Sequence, residues 1–335
     1  MRVLVTGGAG YVGSVTVEAL VEAGHMTVVL DDCSTGHPAA VIAGARLVQA
    51  DCTDETTTTA LLRDERIEAV VHCAARSLVG ESIRDPARYY RQNVAGGVAL
   101  LEACRTAGVG RVVFSSTAAV YGTPDRTPID EDAPLRPINP YGETKRTFEA
   151  ALAWYGQAYG LRSVVLRYFN VAGATAANGE DHDPETHLIP NILRAAEGGG
   201  ALTLFGDDYP TPDGTAIRDY IDVRDLASAH LLAIEATAST DPPVSIVCNL
   251  GSGAGFSVRE VLAAAEAVVE RPIPVEPGSR REGDPAVLVA SAERARATLG
   301  WRPVHGTLAE MIGSAWAWRK AHPGGYAGAT GATAS

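Results

Sequence analysis

Short runs of Val, Leu and other strand-forming residues alternate with longer amphipathic stretches through the first half of the chain. The runs lie at residues 2–6, 27–31, 46–51, 68–73, 111–115 and 162–168. Their continuous aliphatic content is typical of strands that are buried on both faces. Residues 11–23, 86–107 and 141–159, between the runs, are typical of helices. This alternation predicts an α/β fold, with a doubly wound parallel sheet that carries helices on both faces.

The pattern changes after about residue 170. Residues 173–184 are rich in Gly, Asn, Asp and Pro, and turn signals follow at 198–200, 210–214, 241–243 and 272–278. We therefore expect a first domain over residues 1–170 and a smaller α/β domain over 171–322, some of whose strands return to the main sheet. The remaining residues, 323–335, consist mostly of small residues and predict a disordered tail.

Charge and cysteine content exclude several classes of protein. The 335 residues carry a formal net charge of −12, which disfavours binding to nucleic acid. The five cysteines are scattered without metal-ligand spacing, so we expect reduced thiols and no metal. A strand begins within two residues of the N-terminus, and no apolar run reaches the length of a membrane span. These features together predict a soluble cytoplasmic protein.

A glycine-rich loop directly after the first predicted strand indicates a dinucleotide site. Gly7, Gly10 and Gly13 have the G-x-x-G-x-x-G spacing that gives a tight turn, close approach of the backbone to a pyrophosphate and close helix packing. The second strand ends in Asp31-Asp32, where a carboxylate accepts hydrogen bonds from a ribose and repels a 2′-phosphate. The pattern predicts a Rossmann domain that binds NAD rather than NADP.

Tyr141 and Lys145 lie four residues apart at the start of a predicted helix, so their side chains share one face. A neighbouring ammonium and a positive nicotinamide would both lower the pKa of the phenol. Ser115, Ser116 and Thr117 end the fifth strand, at the sheet edge where ligands bind in such folds. We assign Thr117 to a hydrogen bond with a substrate oxygen, Tyr141 to proton transfer and Lys145 to the tyrosine and the cofactor, with Ser116 nearer the wall or the cofactor.

Longer segments resemble the UDP-glucose 4-epimerase family of extended short-chain dehydrogenases/reductases over almost the whole chain. They are TGGAGYVGS near the start, LVGES at 78–82, SSTAAVYG at 115–122, NPYGETK at 139–145, RYFNVAGA at 167–174, LFGDDYPTPDGTAIRDYIDVRDLA at 204–227 and RREGDPA at 280–286. The last two are specific, because general NAD-binding folds do not carry them. The resemblance implies an isomerase that oxidises a UDP-hexose at C4 with tightly bound NAD and reduces the transient 4-keto sugar on its other face.

The same resemblance implies two sets of binding residues beside the catalytic Thr117, Tyr141 and Lys145. The cofactor set comprises Gly7, Gly10, Tyr11, Val12, Gly13, Asp31, Asp32, Cys33, Ser34, Gly36, Asp51, Cys52, Cys73, Ala74, Ala75, Asn93, Ser115, Tyr141, Lys145 and Phe169. The substrate set comprises Thr117, Tyr141, Asn170, His187, Leu188, Thr203, Leu204, Phe205, Arg218, Arg281 and Asp284.

Some positions depart from the family pattern. Thr117 replaces the more common Ser and keeps the hydroxyl, whereas Ser77 stands where some members have a Lys that contacts the cofactor. His187 replaces an Asn that some members use on the substrate phosphates. Leu288 lies near a position that, as a large aromatic residue, restricts N-acetylated sugars in some relatives. A smaller residue there is compatible with UDP-N-acetylhexosamines.

Three other functions are compatible with parts of this pattern. A nucleotide-sugar 4,6-dehydratase needs an extra acid and base, which related dehydratases place directly after the Thr, whereas this chain has Ala118-Ala119. A net dehydrogenase would need a cofactor that exchanges, and the sequence does not decide this. A non-catalytic NAD sensor would not need the Tyr and Lys that are retained here.

We also expect a homodimer. Leu100, Leu101, Leu152, Trp154 and Tyr155 lie on the two longest predicted helices and give them more apolar bulk than one face of a sheet requires. The resemblance implies that these helices pack against those of a second copy.

Overall fold

The computed structural model describes residues 1–239, 245–281 and 284–327. The turn expected at 241–243, residues 282–283 of the RREGDPA segment and tail residues 328–335 lie outside the described residues. The strands are β1 (Arg2–Thr6), β2 (Met26–Asp31), β3 (Ala45–Gln49), β4 (Ala69–His72), β5 (Arg111–Thr117), β6 (Arg162–Tyr168), β7 (Asn170–Ala172), β8 (Leu202–Phe205), β9 (Ile217–Asp222), β10 (Ser245–Leu250), β11 (Gly255–Ser257), β12 (Val275–Gly278) and β13 (Val287–Leu288). The α-helices are α1 (Tyr11–Glu22), α2 (Glu55–Asp64), α3 (Val79–Arg84), α4 (Pro86–Tyr89), α5 (Gly96–Ala107), α6 (Pro140–Tyr159), α7 (Leu188–Ala196), α8 (Val223–Ala236), α9 (Val258–Val269), α10 (Glu293–Leu299) and α11 (Leu308–Ala321).

Within the described residues, seven parallel strands form the main sheet in the order β10-β6-β5-β4-β1-β2-β3. The chain runs outward from β1 through β2 to β3, then returns to β4 on the other side of β1. This reversal makes a switch point between β1 and β4, where a crevice opens beyond the carboxyl ends of the strands. The predicted doubly wound parallel sheet is confirmed, and all six predicted strands are present.

The two faces of the sheet bury separate apolar clusters. Val3 and Val5 of β1 point to one face and pack with Leu226 of α8, whereas Leu4 points to the other and packs with Phe148 of α6. The alternation follows from the two-residue period of a strand. Because both faces are covered, the site can form only at the ends of the strands.

The second half of the chain forms smaller sheets and also contributes to the main one. Strand β9 pairs with β7, β11 and β13, and β8 pairs with β12. Helices α7, α9 and α11 share an apolar cluster with these strands. Strand β10 returns to the main sheet beside β6. The domain boundary at residue 170 stays a prediction, since the two halves share a sheet.

The helix expected over 86–107 is interrupted. Residues Tyr90–Ala95 form a π-helical turn between α4 and α5. Leu100, Leu101 and Leu152, which we expected on an exposed apolar face, are fully buried in the core. Trp154, by contrast, is 67% exposed. Helical periodicity identifies an apolar face but not the neighbour that covers it, and α2, which the sequence analysis did not predict, packs against α5.

The start of the predicted disordered tail is part of the fold. Tyr326 is 5% exposed, and its hydroxyl donates to Asn178 Oδ1 at 3.0 Å and accepts from the Gly179 amide at 3.0 Å. Its ring also packs against Trp318. Residues 323–327 therefore do not belong to a disordered tail. No helix among the described residues has the length and apolar character needed to cross a bilayer.

Candidate active site

A cavity of about 590 Å³ opens at the switch point of the main sheet and extends to the second half of the chain. The predicted site residues that line it are Gly7, Gly10, Tyr11, Val12, Gly13, Asp31, Asp32, Ser34, Gly36, Asp51, Cys52, Cys73, Ala74, Ala75, Thr117, Tyr141, Lys145, Phe169, Asn170, His187, Arg281 and Asp284. Ser77, Ala118, Ala119 and Leu288 line it as well. One cavity thus joins the glycine loop to the segment that ends at Leu288.

The glycine loop leaves open the space that a pyrophosphate would need. Gly7 has φ +71°, a left-handed conformation that favours glycine, and a Cβ on Gly13 would overlap the Gly7 carbonyl. A Cβ on Gly10, by contrast, would meet only the Gly7 oxygen, at an ordinary 3.5 Å. Packing within the protein therefore explains the glycines at 7 and 13, and the free space at Gly10 faces the cavity. This loop fits a dinucleotide.

The Asp31 carboxylate lies at the end of β2 and is 8% exposed. It accepts hydrogen bonds from Ala9 N at 2.9 Å and from Cys33 N at 2.8 Å. Burial raises the pKa of Asp31, while these two backbone donors act in the opposite direction. A carboxylate has about four acceptor sites, so two remain for the hydroxyls of a ribose. Asp31 can therefore fix the glycine loop and bind a ribose at once.

Thr117 and Tyr141 meet where β5 ends and α6 begins. The Asn139 side chain caps α6 by accepting from Gly142 N at 2.9 Å. A Cβ on Gly142 would lie 2.5 Å from the Ala119 oxygen, so only glycine allows the helix to approach the end of β5 this closely. A hydrogen bond from Thr117 then reaches the Tyr141 phenol. The two side chains face the same part of the cavity.

The pKa values of Tyr141 and Lys145 differ from the expectation that the lysine lowers the pKa of the phenol. Burial raises the pKa of Tyr141, and the hydrogen bond from Thr117 opposes that rise. Lys145 donates instead to the Ser115 carbonyl oxygen at 2.8 Å and lies 4.7 Å from the centre of the Phe114 ring. Burial lowers the pKa of Lys145 to about 8. The expected lowering of the tyrosine pKa by Lys145 is therefore not seen in the structure.

Three predicted polar residues support the site from behind its wall. Ser116, which we placed near the wall or the cofactor, is fully buried and donates to Glu149 Oε1 at 2.5 Å. Ser115 Oγ lies 2.8 Å from His230 Nε2. Asn93 accepts from Arg76 N at 2.8 Å and so holds the loop after β4. None of the three lines the cavity, because Ser116 is turned toward Glu149, Ser115 toward His230 and Asn93 toward the loop at Arg76.

The residues expected to hold the sugar nucleotide are paired with one another. Arg218 Nη2 lies 2.5 Å from Asp284 Oδ1, and the Arg281 guanidinium lies 4.2 Å from the centre of the Phe205 ring. Phe205 is 42% exposed, as an aromatic platform for a base would need to be. The predicted residues outside the cavity wall are Cys33, Asn93, Ser115, Leu188, Thr203, Leu204, Phe205 and Arg218.

Two groups of residues in or behind the wall escaped the sequence analysis. Glu180 and His182 line the cavity, and their signal was the alternation of acidic residues and histidines in EDHDPETH at 180–187. Glu149 and Arg167 form a buried ion pair, with 7% and 5% of their side chains exposed. Glu149 lies four residues after Lys145, so helical spacing could have indicated that the two side chains share one face of the helix.

Comparisons with known proteins agree with this geometry. Residues 3–251 match the model of the NAD dependent epimerase/dehydratase family. The chain is 51% identical to the UDP-glucose 4-epimerase of Lactobacillus helveticus over 97% of this chain and 99% of the relative. A Brucella ovis UDP-glucose 4-epimerase in complex with NAD superposes with a TM-score of 0.91 at 46% identity, over 94% and 97% of the two chains. A Campylobacter jejuni UDP-Glc/GlcNAc 4-epimerase gives a TM-score of 0.83 at 38% identity, over 96% and 99%.

Replacing Glu149 by Ala should destabilise the fold. The change leaves the Arg167 charge buried without its partner, and such losses typically cost about 3–5 kcal/mol in the free energy of unfolding. Glu143→Ala on the same helix is the matched control, because its ion pair with Arg146 is exposed and should contribute at most about 1 kcal/mol. Urea denaturation of both variants measures the difference. Equal stability of the two variants would contradict a supporting role for Glu149.

Proposed function

This chain belongs to the NAD dependent epimerase/dehydratase family, and from that premise we propose that it interconverts UDP-galactose and UDP-glucose. The reaction passes through a transient 4-keto sugar, and NAD stays bound throughout. The observation that carries the proposal is that one cavity is lined by the glycine loop, by Thr117 and Tyr141, and by Arg281, Asp284 and Leu288. The reduced cysteines and the NAD-linked chemistry support a cytoplasmic location as part of the same proposal.

Tyr141 acts as the base and Thr117 positions the substrate. The Thr117 hydroxyl ends β5 and can hydrogen-bond the 4-oxygen of the sugar, which places that oxygen beside the phenol. When bound, NAD supplies a hydride acceptor for C4 and a positive charge close to Tyr141. The phenolate removes the 4-hydroxyl proton and later returns it. Lys145, already held by the Ser115 carbonyl, lies on the same helix face and can turn toward a ribose hydroxyl.

Epimerisation also requires the sugar to turn while the nucleotide stays bound. Arg281, Asp284 and Phe205 can hold the diphosphate and the nucleoside through charge, hydrogen bonding and stacking. Residues Ala118 and Ala119 line the cavity beside Thr117 and offer no proton donor or acceptor in their side chains. A 4,6-dehydratase would need an acid and a base there, so elimination of water is disfavoured.

The deciding experiment supplies UDP-galactose to the purified protein without added NAD and identifies the products. We expect UDP-glucose with no free NADH and no accumulated ketone. Tyr141→Phe should retain NAD but reduce turnover about 10²- to 10⁴-fold, the range of a general acid–base contribution. Tyr90→Phe, on a tyrosine that is 42% exposed, should leave turnover unchanged. Near-normal turnover of the Tyr141 variant would refute the assignment, and release of NADH would favour a net dehydrogenase.

We also propose that the same site accepts UDP-N-acetylhexosamines. Leu288 lies in β13 and lines the cavity, where a branched aliphatic side chain leaves more room than an aromatic ring. The name of the Campylobacter jejuni relative includes both UDP-Glc and GlcNAc.

Leu288→Tyr should therefore separate the two substrates. Overpacking typically costs about 1–3 kcal/mol, which corresponds to a loss of about fivefold to 150-fold in kcat/KM for UDP-N-acetylgalactosamine. Turnover of UDP-galactose should change little. Leu288→Met conserves volume and should keep both activities. Equal losses on both substrates would show that Leu288 does not select for the N-acetyl group.

Finally, we propose that the protein is a homodimer that associates through α6. Trp154 and Tyr159 of this helix are 67% and 59% exposed, unusually high values for large aromatic side chains. The buried Leu100, Leu101 and Leu152 no longer support this proposal, which now depends on the aromatic residues and on the family resemblance.

Trp154→Lys should shift the dimer to monomers, because it places a charge where an apolar contact is expected. Val304→Lys is the matched control, since Val304 is 74% exposed and lies in a loop far from α6 in the sequence. Sedimentation velocity over a range of concentrations measures both variants. A monomeric unmodified protein, or a dimeric Trp154 variant, would contradict the proposed interface.

A further inference from the structure

Four side chains in the loop that precedes α7 converge on one point. Glu180, His182, Glu185 and His187 each offer one ligand atom, and these atoms all lie within 4.8 Å of one another. His187 Nδ1 lies 2.6 Å from Glu180 Oε1 and 2.9 Å from Glu185 Oε1. His182 Nδ1 lies 3.1 Å from the same oxygen of Glu180. Two imidazole nitrogens and two carboxylates thus form one compact cluster.

The carboxylates of the cluster are largely shielded from water. The side chains of Glu180 and Glu185 are only 8% and 11% exposed. Each ring nitrogen carries at most one proton, yet His187 Nδ1 faces two carboxylate oxygens and Glu180 Oε1 faces two ring nitrogens. A cation at the centre would satisfy all four ligand atoms at once.

We propose that Glu180, His182, Glu185 and His187 form a binding site for one divalent transition-metal ion of the zinc type. Imidazole nitrogen and carboxylate oxygen bind Zn²⁺ at about 2.0–2.2 Å, so neighbouring ligand atoms in a tetrahedral site lie about 3.3 Å apart. Three of the separations between these ligand atoms are 2.6, 2.9 and 3.1 Å and would need to widen by about 0.2–0.7 Å, and all of the separations lie within 4.8 Å. Mg²⁺ and Ca²⁺ prefer oxygen ligands, which makes them poorer matches.

The position of the site gives the metal a role in binding. Glu180, His182 and His187 line the same cavity as the glycine loop, and the His182 ring lies 6.4 Å from the ring of Tyr11 in that loop. Coordination through Nδ1 places the proton of His187 on Nε2, where it can donate to a phosphate oxygen. The metal would therefore fix both the loop and the tautomer of a histidine that faces the ligand cavity.

Metal analysis of the full-length protein tests this inference independently of turnover. Protein freed of metal with a chelator is titrated with Zn²⁺ against a competing dye, and with Co²⁺ while its visible spectrum is followed. We expect one ion per chain, with Co²⁺ bands of tetrahedral or five-coordinate type and no comparable binding of Mg²⁺.

The double variant His182→Gln, His187→Gln should weaken Zn²⁺ binding by at least about tenfold, a loss that even outer partners of a metal site produce. Asp183→Asn is the matched control, because it removes a carboxylate from the same loop without removing a ligand. Circular dichroism and NAD content establish that both variants fold. Equal Zn²⁺ affinity of the two variants, or no stoichiometric binding by the unmodified protein, would overturn the site and leave a cluster of protonated histidines and carboxylates.

Discussion

The geometry of the site depends on the contact between α6 and the carboxyl ends of β5 and β6. The Glu149 carboxylate of α6 accepts hydrogen bonds from the Ser116 hydroxyl of β5 and from the Arg167 guanidinium of β6. Arg167 also donates to the Tyr121 hydroxyl at 2.9 Å. Because the ion pair is buried, any shift of the helix would expose charges to an apolar interior without partners. Tyr141 and Lys145 lie two turns and one turn before Glu149, so their positions relative to Thr117 are set by the same contact.

This contact also explains which parts of the site were predictable. The glycine spacing, Asp31, Thr117, Tyr141 and Lys145 belong to short local patterns, and all of them line one cavity. The ion pair joins residues 18 positions apart on different elements, and no local pattern links them. Ser116 and Thr117 are adjacent, yet a strand turns them to opposite faces, and only the packing of α6 decides which one is covered. The sequence therefore indicates which side chains have the chemistry for catalysis or binding. The tertiary contacts decide which of them reach the cavity.

The same limit applies to the second half of the chain. Strands β7, β11 and β13 have only two or three residues each, too few for a two-residue period to be recognised. Their pairing with β9 is long-range, as is the return of β10 to the main sheet. The burial of Tyr326 likewise involves a long-range contact that no local pattern indicates. The Gly/Ala-rich surroundings of this residue predict disorder, whereas its burial depends on Trp318 and on Asn178, and Asn178 is distant in the sequence.

The pairing of Thr117 with Tyr141 has a consequence for when the chemistry can begin. Burial raises the pKa of the phenol and so favours the protonated form of Tyr141, which is a poorer base than the phenolate. A positive charge about 4 Å away contributes about 4 kcal/mol at an effective dielectric constant of about 20, or about three pKa units. The hydrogen bond from Thr117 adds to that stabilisation of the phenolate. A positively charged oxidant held beside Tyr141 would therefore favour the phenolate, and burial would strengthen that interaction because the local dielectric constant is low.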